Sequence, residues 1–326
     1  MDKIKIKVSN SSATLKLMLF KYNSIFVVYD RNVEVFVKKA FGKYPSLAIS
    51  ASEETKTMDS VLRICQWLLE QGADRKALVL AVGGGITTDM VGFAASIYKR
   101  GIRYANIPTS LLAQVDAAIG GKTAVNLDSY KNILGSIKLP EFTFISTKTL
   151  ETLPPRDYNA GIAEMLKTFI IKDEIYYERA VEVFSGERNP EDVQSLIEAA
   201  AKFKASIVKK DIFDSGNRRV LNFGHTYAHA VEWFQHSHGV TGAFNHGEAV
   251  AIGMIQAARK SEELGCATPG LADRLAKDFA ACGLPTSLPC PEEELDKAIR
   301  QDKKAEGNKV NYVLIEKIGK VFVKRI

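Results

Sequence analysis

The stretch ALVLAVGGGITTD, residues 77–89, decides the fold. Ala77 to Val82 reads as a buried strand, Gly83, Gly84 and Gly85 turn the chain, and Thr87, Thr88 and Asp89 open a helix. Glycines at such a turn let the backbone approach a pyrophosphate, while free amides and the dipole at a helix start attract the anion. The spacing is not the usual dinucleotide fingerprint, and a tight strand-to-helix turn with a capping box would read the same way. Working outward, Ile25 to Tyr29, Ser46 to Ser50, Tyr104 to Ile107 and Phe142 to Ser146 read as further buried strands. Lys56 to Glu70 is amphipathic and reads as a crossover helix. The alternation predicts an α/β fold with a parallel sheet. Asp30, ending the first of these strands, is placed to accept ribose hydroxyls or to serve a turn. The start, MDKIKIKVSN, alternates charged and branched apolar residues like an edge strand.

The pattern changes at LETLPPRDYN, residues 150–159, where Pro154 and Pro155 break the chain and Asp157 or Asn159 can cap a new helix. From there to Gln301 the reading is helical, with breaks near Gly216, Gly239 to Gly242, Pro269 and Pro285. Lys309 to Ile326 alternates again like a hairpin. Two domains follow, residues 1–153 and 154–326, with no internal repeat or low-complexity segment.

At 326 residues and 46% hydrophobic, the chain can bury an ample core in two domains. The net charge of +6 comes from bases interleaved with acids, which favours an anionic small molecule over nucleic acid. Cys65, Cys266, Cys282 and Cys290 have neither zinc-site spacing nor the look of a disulfide framework, so a reducing cytoplasm is expected. The N-terminus lacks the apolar core of a signal peptide, and no stretch is long enough to span a membrane.

The chemistry concentrates in the second half. Of five histidines, three stand in polar motifs within apolar helical sequence: His225 with His229, and His246 followed by Glu248. Imidazole nitrogens with a carboxylate make a catalytic zinc site. Glu164 and Lys167, three apart in AGIAEMLKTFII, share one helix face turned to the interior. His225 and His229 are four apart, with Glu232 on the same face. Spacing alone proposes both as ligands of one metal, against a buried pair of core histidines, and His246 tips the balance toward metal.

In the first half, Gly120 and Gly121 before Lys122 invite comparison with a nucleotide-triphosphate loop. The glycine that motif requires five residues before Gly121 is Asp116 here, which rejects an ATPase. Asp116, Lys122, Asn126, Lys131 and Asn132 remain as a polar cluster suited to phosphate or carboxylate, or as a solvated loop.

Six strings, GGGITTDMVGFAASIYKRG, VDAAIGGKTAVN, YKNILGS, TLPPRDYNAGIAEMLK, LNFGHTYAHAVE and HGEAVAIGM, resemble the 3-dehydroquinate synthase family in order and over most of the chain. The resemblance implies an NAD- and zinc- (or cobalt-) dependent lyase of the shikimate pathway, acting on 3-deoxy-D-arabino-heptulosonate 7-phosphate and releasing phosphate. It implies a Rossmann-like NAD-binding N-terminal domain, a helical metal- and substrate-binding domain, and a homodimer. Carried over by residue, it makes Glu164, His225 and His246 the metal ligands and moves His229 to the substrate phosphate. Asp116, Lys122, Asn132, Lys167, Lys204, Arg218 and Asn222 match substrate positions. Arg100 matches a residue serving the other subunit's site, and Lys303 or Lys304 a late phosphate contact. Asp30, Glu53, Lys56, Gly84, Gly85, Asp89, Thr109 and Lys131 match NAD-contacting positions. The chain departs from the family pattern at Thr88, where glycine is usual, and in a longer stretch before His246, in which His236 and His238 read as loop residues. A metal-dependent polyol-phosphate or alcohol dehydrogenase, another sugar-phosphate cyclase and a nonenzymatic NAD-binding protein are the alternative readings.

Overall fold

The computed structural model describes residues 4–128, 130–305 and 311–325, and only the backbone of 296 and 300–305. The chain forms two compact units, one of residues 1–154 with 204–213, the other of 155–203 with 214–326.

The first unit runs β1 (Ile6–Val8), α1 (Ser12–Leu19), β2 (Ile25–Asp30), α2 (Glu34–Phe41), β3 (Ser46–Ile49), α3 (Met58–Glu70), β4 (Leu78–Gly83), α4 (Gly85–Ile97), β5 (Arg103–Pro108), β6 (Lys122–Leu127), β7 (Tyr130–Ile137) and β8 (Thr143–Ile145). Among the described residues a six-stranded sheet has the order β1-β8-β5-β4-β2-β3, every pair parallel. The stretch 77–89 supplies its centre, with Leu78 opposite Ile25 on one side and Arg103 on the other. Side chains alternate across a strand, so β4 feeds two cores. Val79 and Ala81 pack with Val61, Ile64 and Leu68 of α3 and with Met90 and Val91 of α4. Leu78, Leu80 and Val82 pack with Leu15 and Leu19 of α1 and with Val37 and Phe41 of α2. Burial on both faces is why these strands read as unbroken apolar runs. The short strand β1 lies at the sheet's edge, as its alternation predicts.

Local details set aside two of the alternative readings. No capping box forms at α4; Gly84 is its N-cap without a side-chain bond. Thr88 turns inward, only 2% exposed, and its hydroxyl donates to the Gly85 carbonyl at 2.9 Å. The polar cluster is also no solvated loop: Asp116 sits in a π-helical turn, Ala113–Ala117, and Lys122, Asn126, Lys131 and Asn132 lie on the antiparallel hairpin of β6 and β7.

The second unit is mainly helical: α5 (Pro155–Lys172), α6 (Glu174–Ser185), α7 (Pro190–Lys210, whose end clusters with the first unit), α8 (His225–Ser237), α9 (His246–Glu263), α10 (Leu271–Ala281) and α11 (Glu292–Ala305), then β9 (Asn311–Lys317) and β10 (Lys320–Arg325) as an antiparallel hairpin. Helix α5 starts at Pro155, earlier than a cap at Asp157 or Asn159 would put it; proline suits a first turn whose amides have no partner. His236 is not a loop residue but lies in the last turn of α8; His238 caps the helix from the turn after it, where its ring stacks on Phe234 at 4.2 Å. Gly224 precedes α8 with φ of +82°, and a side chain there would strike the Met254 backbone. The turn that launches His225 is thereby pressed against α9.

Candidate active site

Three helices of the second unit converge. Glu164 from α5, His225 from the first residue of α8 and His246 from the first residue of α9 bring one ligand atom each within 4.8 Å of one another. His246 Nε2 lies 3.4 Å and His225 Nε2 3.8 Å from Glu164 Oε1. The Glu164 side chain is 1% exposed, and the Lys167 ammonium one helical turn on stands 2.5 Å from Oε2. Both Glu164 oxygens are buried without a well-aligned hydrogen bond. A buried carboxylate whose Oε1 faces two imidazole nitrogens fits a divalent cation, with fewer than four protein donors leaving room for a substrate oxygen.

The imidazoles are held for that task. His225 Nδ1 lies 3.3 Å from the Phe223 carbonyl, and His246 Nδ1 lies 3.4 Å from Glu232 Oε1. In both rings the outer partner fixes Nδ1 and leaves Nε2 facing Glu164. Burial and then the Lys167 charge push His225 down to about 3, so it is neutral. Burial also opposes charge on His246, but its bonds to Glu164 and Glu232 outweigh that and raise it to about 10. Burial would raise Glu164, yet Lys167 and the two histidines hold it well below the usual carboxylate range. His229, one turn along α8, turns its ring edge to His225 at 5.7 Å and stays outside the donor group. The four-residue spacing of His225 and His229 therefore marks one ligand candidate and one exposed neighbour. Glu232 was visible as the next residue on that helix face, but its partner, His246, was not. Arg218 is buried beside this region of the sequence, 3% exposed, and Asn222 is exposed. Lys303 and Lys304 fall on the last turn of α11, where side chains lie outside the described residues.

A second polar cluster belongs to the first unit. Lys56, 4% exposed, donates from Nζ to Asp89 Oδ2 at 2.7 Å and to Asn132 Oδ1 at 2.6 Å. Asn126 donates to the Glu53 carboxylate at 2.9 Å and accepts from the Asn132 amide at 3.0 Å. Asn126 thereby joins the Glu53 loop to Asn132, whose φ is +57°. The exposed Lys131 is next to it. Lys204, on the part of α7 that clusters with this unit, meets Asp116 Oδ1 at 2.6 Å and its carbonyl at 3.0 Å. Gly84 and Gly85 start α4, and the Thr109 amide donates to the Gly83 carbonyl at 2.9 Å, so the ends of β4 and β5 are tied at this turn. Asp30 accepts from the Asn32 amide at 3.0 Å and caps a 3-10 turn. Lys122 is exposed on β6. Arg100 is exposed, with φ of +65° directly after Lys99 at +48°.

The models of the N-terminal and C-terminal domains of 3-dehydroquinate synthase match residues 46–160 and 161–305. The chain is 38% identical over 311 residues to a 3-dehydroquinate synthase of Acidithiobacillus ferrooxidans, covering 92% of this chain and 84% of the relative. It is 40% identical over 275 residues to that of Dictyoglomus thermophilum, covering 84% and 76%. Its fold is similar to that of a 2-epi-5-epi-valiolone synthase from Streptomyces hygroscopicus solved with NAD+ and Zn2+, with a TM-score of 0.88 and 26% identity over 99% of this chain and 93% of that one.

Proposed function

The chain belongs to the 3-dehydroquinate synthase family, and from that membership we infer that it converts 3-deoxy-D-arabino-heptulosonate 7-phosphate to 3-dehydroquinate and phosphate, a lyase step of the shikimate pathway. The observation that carries the reading on to chemistry is the buried Glu164 carboxylate facing the Nε2 atoms of His225 and His246. These three residues hold zinc or cobalt. Residues 1–153 form the NAD-binding domain and 154–326 the metal- and substrate-binding domain.

Bound there, NAD would supply reversible hydride acceptance and a divalent metal Lewis acidity toward adjacent hydroxyls, chemistry that would release phosphate with no net redox change. The chain's own residues prepare that setting. Lys167 keeps Glu164 ionised. Phe223 and Glu232 fix the ring orientations of the two histidines. Lys122, Lys204, Arg218, His229 and a lysine of the pair 303 and 304 hold carboxylate and phosphate by charge-assisted bonds, with Asp116, Asn132, Lys167 and Asn222 orienting the hydroxyls. Asp30, Glu53, Lys56, Gly84, Gly85, Asp89, Thr109 and Lys131 hold NAD. The protein acts as a cytoplasmic homodimer in which the exposed Arg100 serves the other subunit's site; its left-handed backbone, a conformation non-glycine residues adopt rarely, supports a functional placement. No helix among the described residues is long and apolar enough to cross a membrane.

The test is phosphate release from 3-deoxy-D-arabino-heptulosonate 7-phosphate with NAD and zinc, following nicotinamide absorbance in the same cuvette. The expected result is phosphate without accumulating NADH, abolished by a chelator. Net NADH would instead mark a dehydrogenase, and absence of phosphate a different heptulose phosphate.

A further inference from the structure

We propose that Arg156 is a positioning residue that sets the distance between Glu164 and His246 without touching either; the inference rests on the metal role proposed above for those two residues. Arg156 stands in the first turn of α5, the helix that carries Glu164 farther on. Its Nε donates to Glu248 Oε1 at 2.9 Å and its Nη2 to Glu248 Oε2 at 2.6 Å. The same Nη2 donates to the Ala243 carbonyl at 2.5 Å, and Asn245 Nδ2 donates back to the Arg156 carbonyl at 3.4 Å. Residues 243, 245 and 248 bracket His246, so this one guanidinium grips the chain on both sides of a metal ligand.

A lone exposed ion pair would carry little weight. Here the Glu248 side chain is 13% exposed and is doubly used. Its Oε2 also accepts from the Asn245 amide at 2.7 Å, and Asn245 Oδ1 accepts from the Glu248 amide at 3.0 Å, which closes the capping box of α9. The planar fork of arginine fixes direction as well as distance. Between Arg156 and Glu164 on α5, Ala160 presents its backbone to Gly247, and no side chain fits between them. The start of α9 is thereby held to α5 by the fork on Glu248 and by the backbone contact at Gly247, both just after His246, and by the bond to the Ala243 carbonyl before it. The segment entering α9 turns through Gly239 and Gly242, with φ of +59° and +72°, and gives His246 no helical support from its N-terminal side. Metal ligands must sit within about 0.2 Å of their ideal distances, so loss of this grip is felt at the ion.

The experiment titrates metal-free protein with Co2+ and reads the visible absorption of the bound ion for the wild type, H246A, R156A and R156K, with NAD affinity and thermal unfolding measured on each. R156A is expected to bind Co2+ about 10- to 100-fold more weakly, as loss of outer partners does at metal sites, with shifted bands and unchanged NAD affinity. R156K, which keeps the charge but not the fork, recovers only part of the affinity. Wild-type Co2+ affinity and spectrum in R156A would overturn the proposal. So would a loss in R156A matched by equal losses of NAD affinity and thermal stability, because that marks general unfolding. If H246A itself binds Co2+ like the wild type, the metal reading fails, and the proposal with it.

Discussion

Lys56 holds its ammonium 2.7 Å from the Asp89 carboxylate, with 5% of the lysine side chain and 19% of the aspartate side chain exposed. The lysine comes from the loop before α3 and the aspartate from the first turns of α4, so the pair ties two crossover segments together at the glycine turn. Asn132 Oδ1 shares the same ammonium.

Removing the lysine strands two acceptors. Lys56→Met is expected to destabilise the protein by about 2–3 kcal/mol, less than for a fully buried pair because Asp89 keeps some solvent. The check is the urea midpoint, with Co2+ affinity as the control that stays constant.

Asp89 also predicts a pH dependence. Burial raises its carboxyl to about 6, against the lowering influence of Lys56. The folded value lies above the unfolded one, so the folded chain binds this proton more tightly. Its contribution to stability is full below the ordinary aspartate value near 3.8 and is lost as pH rises through about 6. Unfolding midpoints of NAD-free wild type and D89N, compared from pH 4 to 7, should show this component only in the wild type. Parallel curves for the two proteins would refute it.

Glu232→Gln removes the charge that faces His246 Nδ1 at 3.4 Å. Co2+ affinity is expected to fall about tenfold, as for loss of a carboxylate behind a metal-bound histidine. An unaltered titration would mean that Glu232 does not support that ring.

Gly247→Ala forces a methyl group into the Ala160 backbone. The expected loss is about 1–3 kcal/mol, the usual range for overpacking. A melting temperature equal to that of the wild type would show that the two helices are not held as close as described.

The architecture was largely legible because burial leaves its period in the chain. Runs apolar at every position marked β2 and β4, covered on both faces, and the amphipathic stretch before Glu70 marked α3. The hairpin of β6 and β7 leaves no such period because its residues are mixed and largely exposed, and its polar positions, Lys122, Asn126, Lys131 and Asn132, read as a binding cluster or a loop. Asp157 and Asn159 are both good caps by type, yet the helix already begins at Pro155 and both lie inside it.

For the site, sequence alone determined which residue types were available and which helix each would ride on, because local spacing and flanking apolar residues are properties of short segments. Only the tertiary structure decided which of them meet. His225 and His229 are neighbours by spacing, yet the donor group takes His225 from α8, Glu164 from α5 and His246 from α9. Glu232 and Arg156 gain their roles solely from what packs opposite them, a histidine and a carboxylate on another helix. A helix face can be read one segment at a time, but which faces converge depends on backbone contacts such as Gly247 on Ala160, and those exist only once the chain has closed on itself.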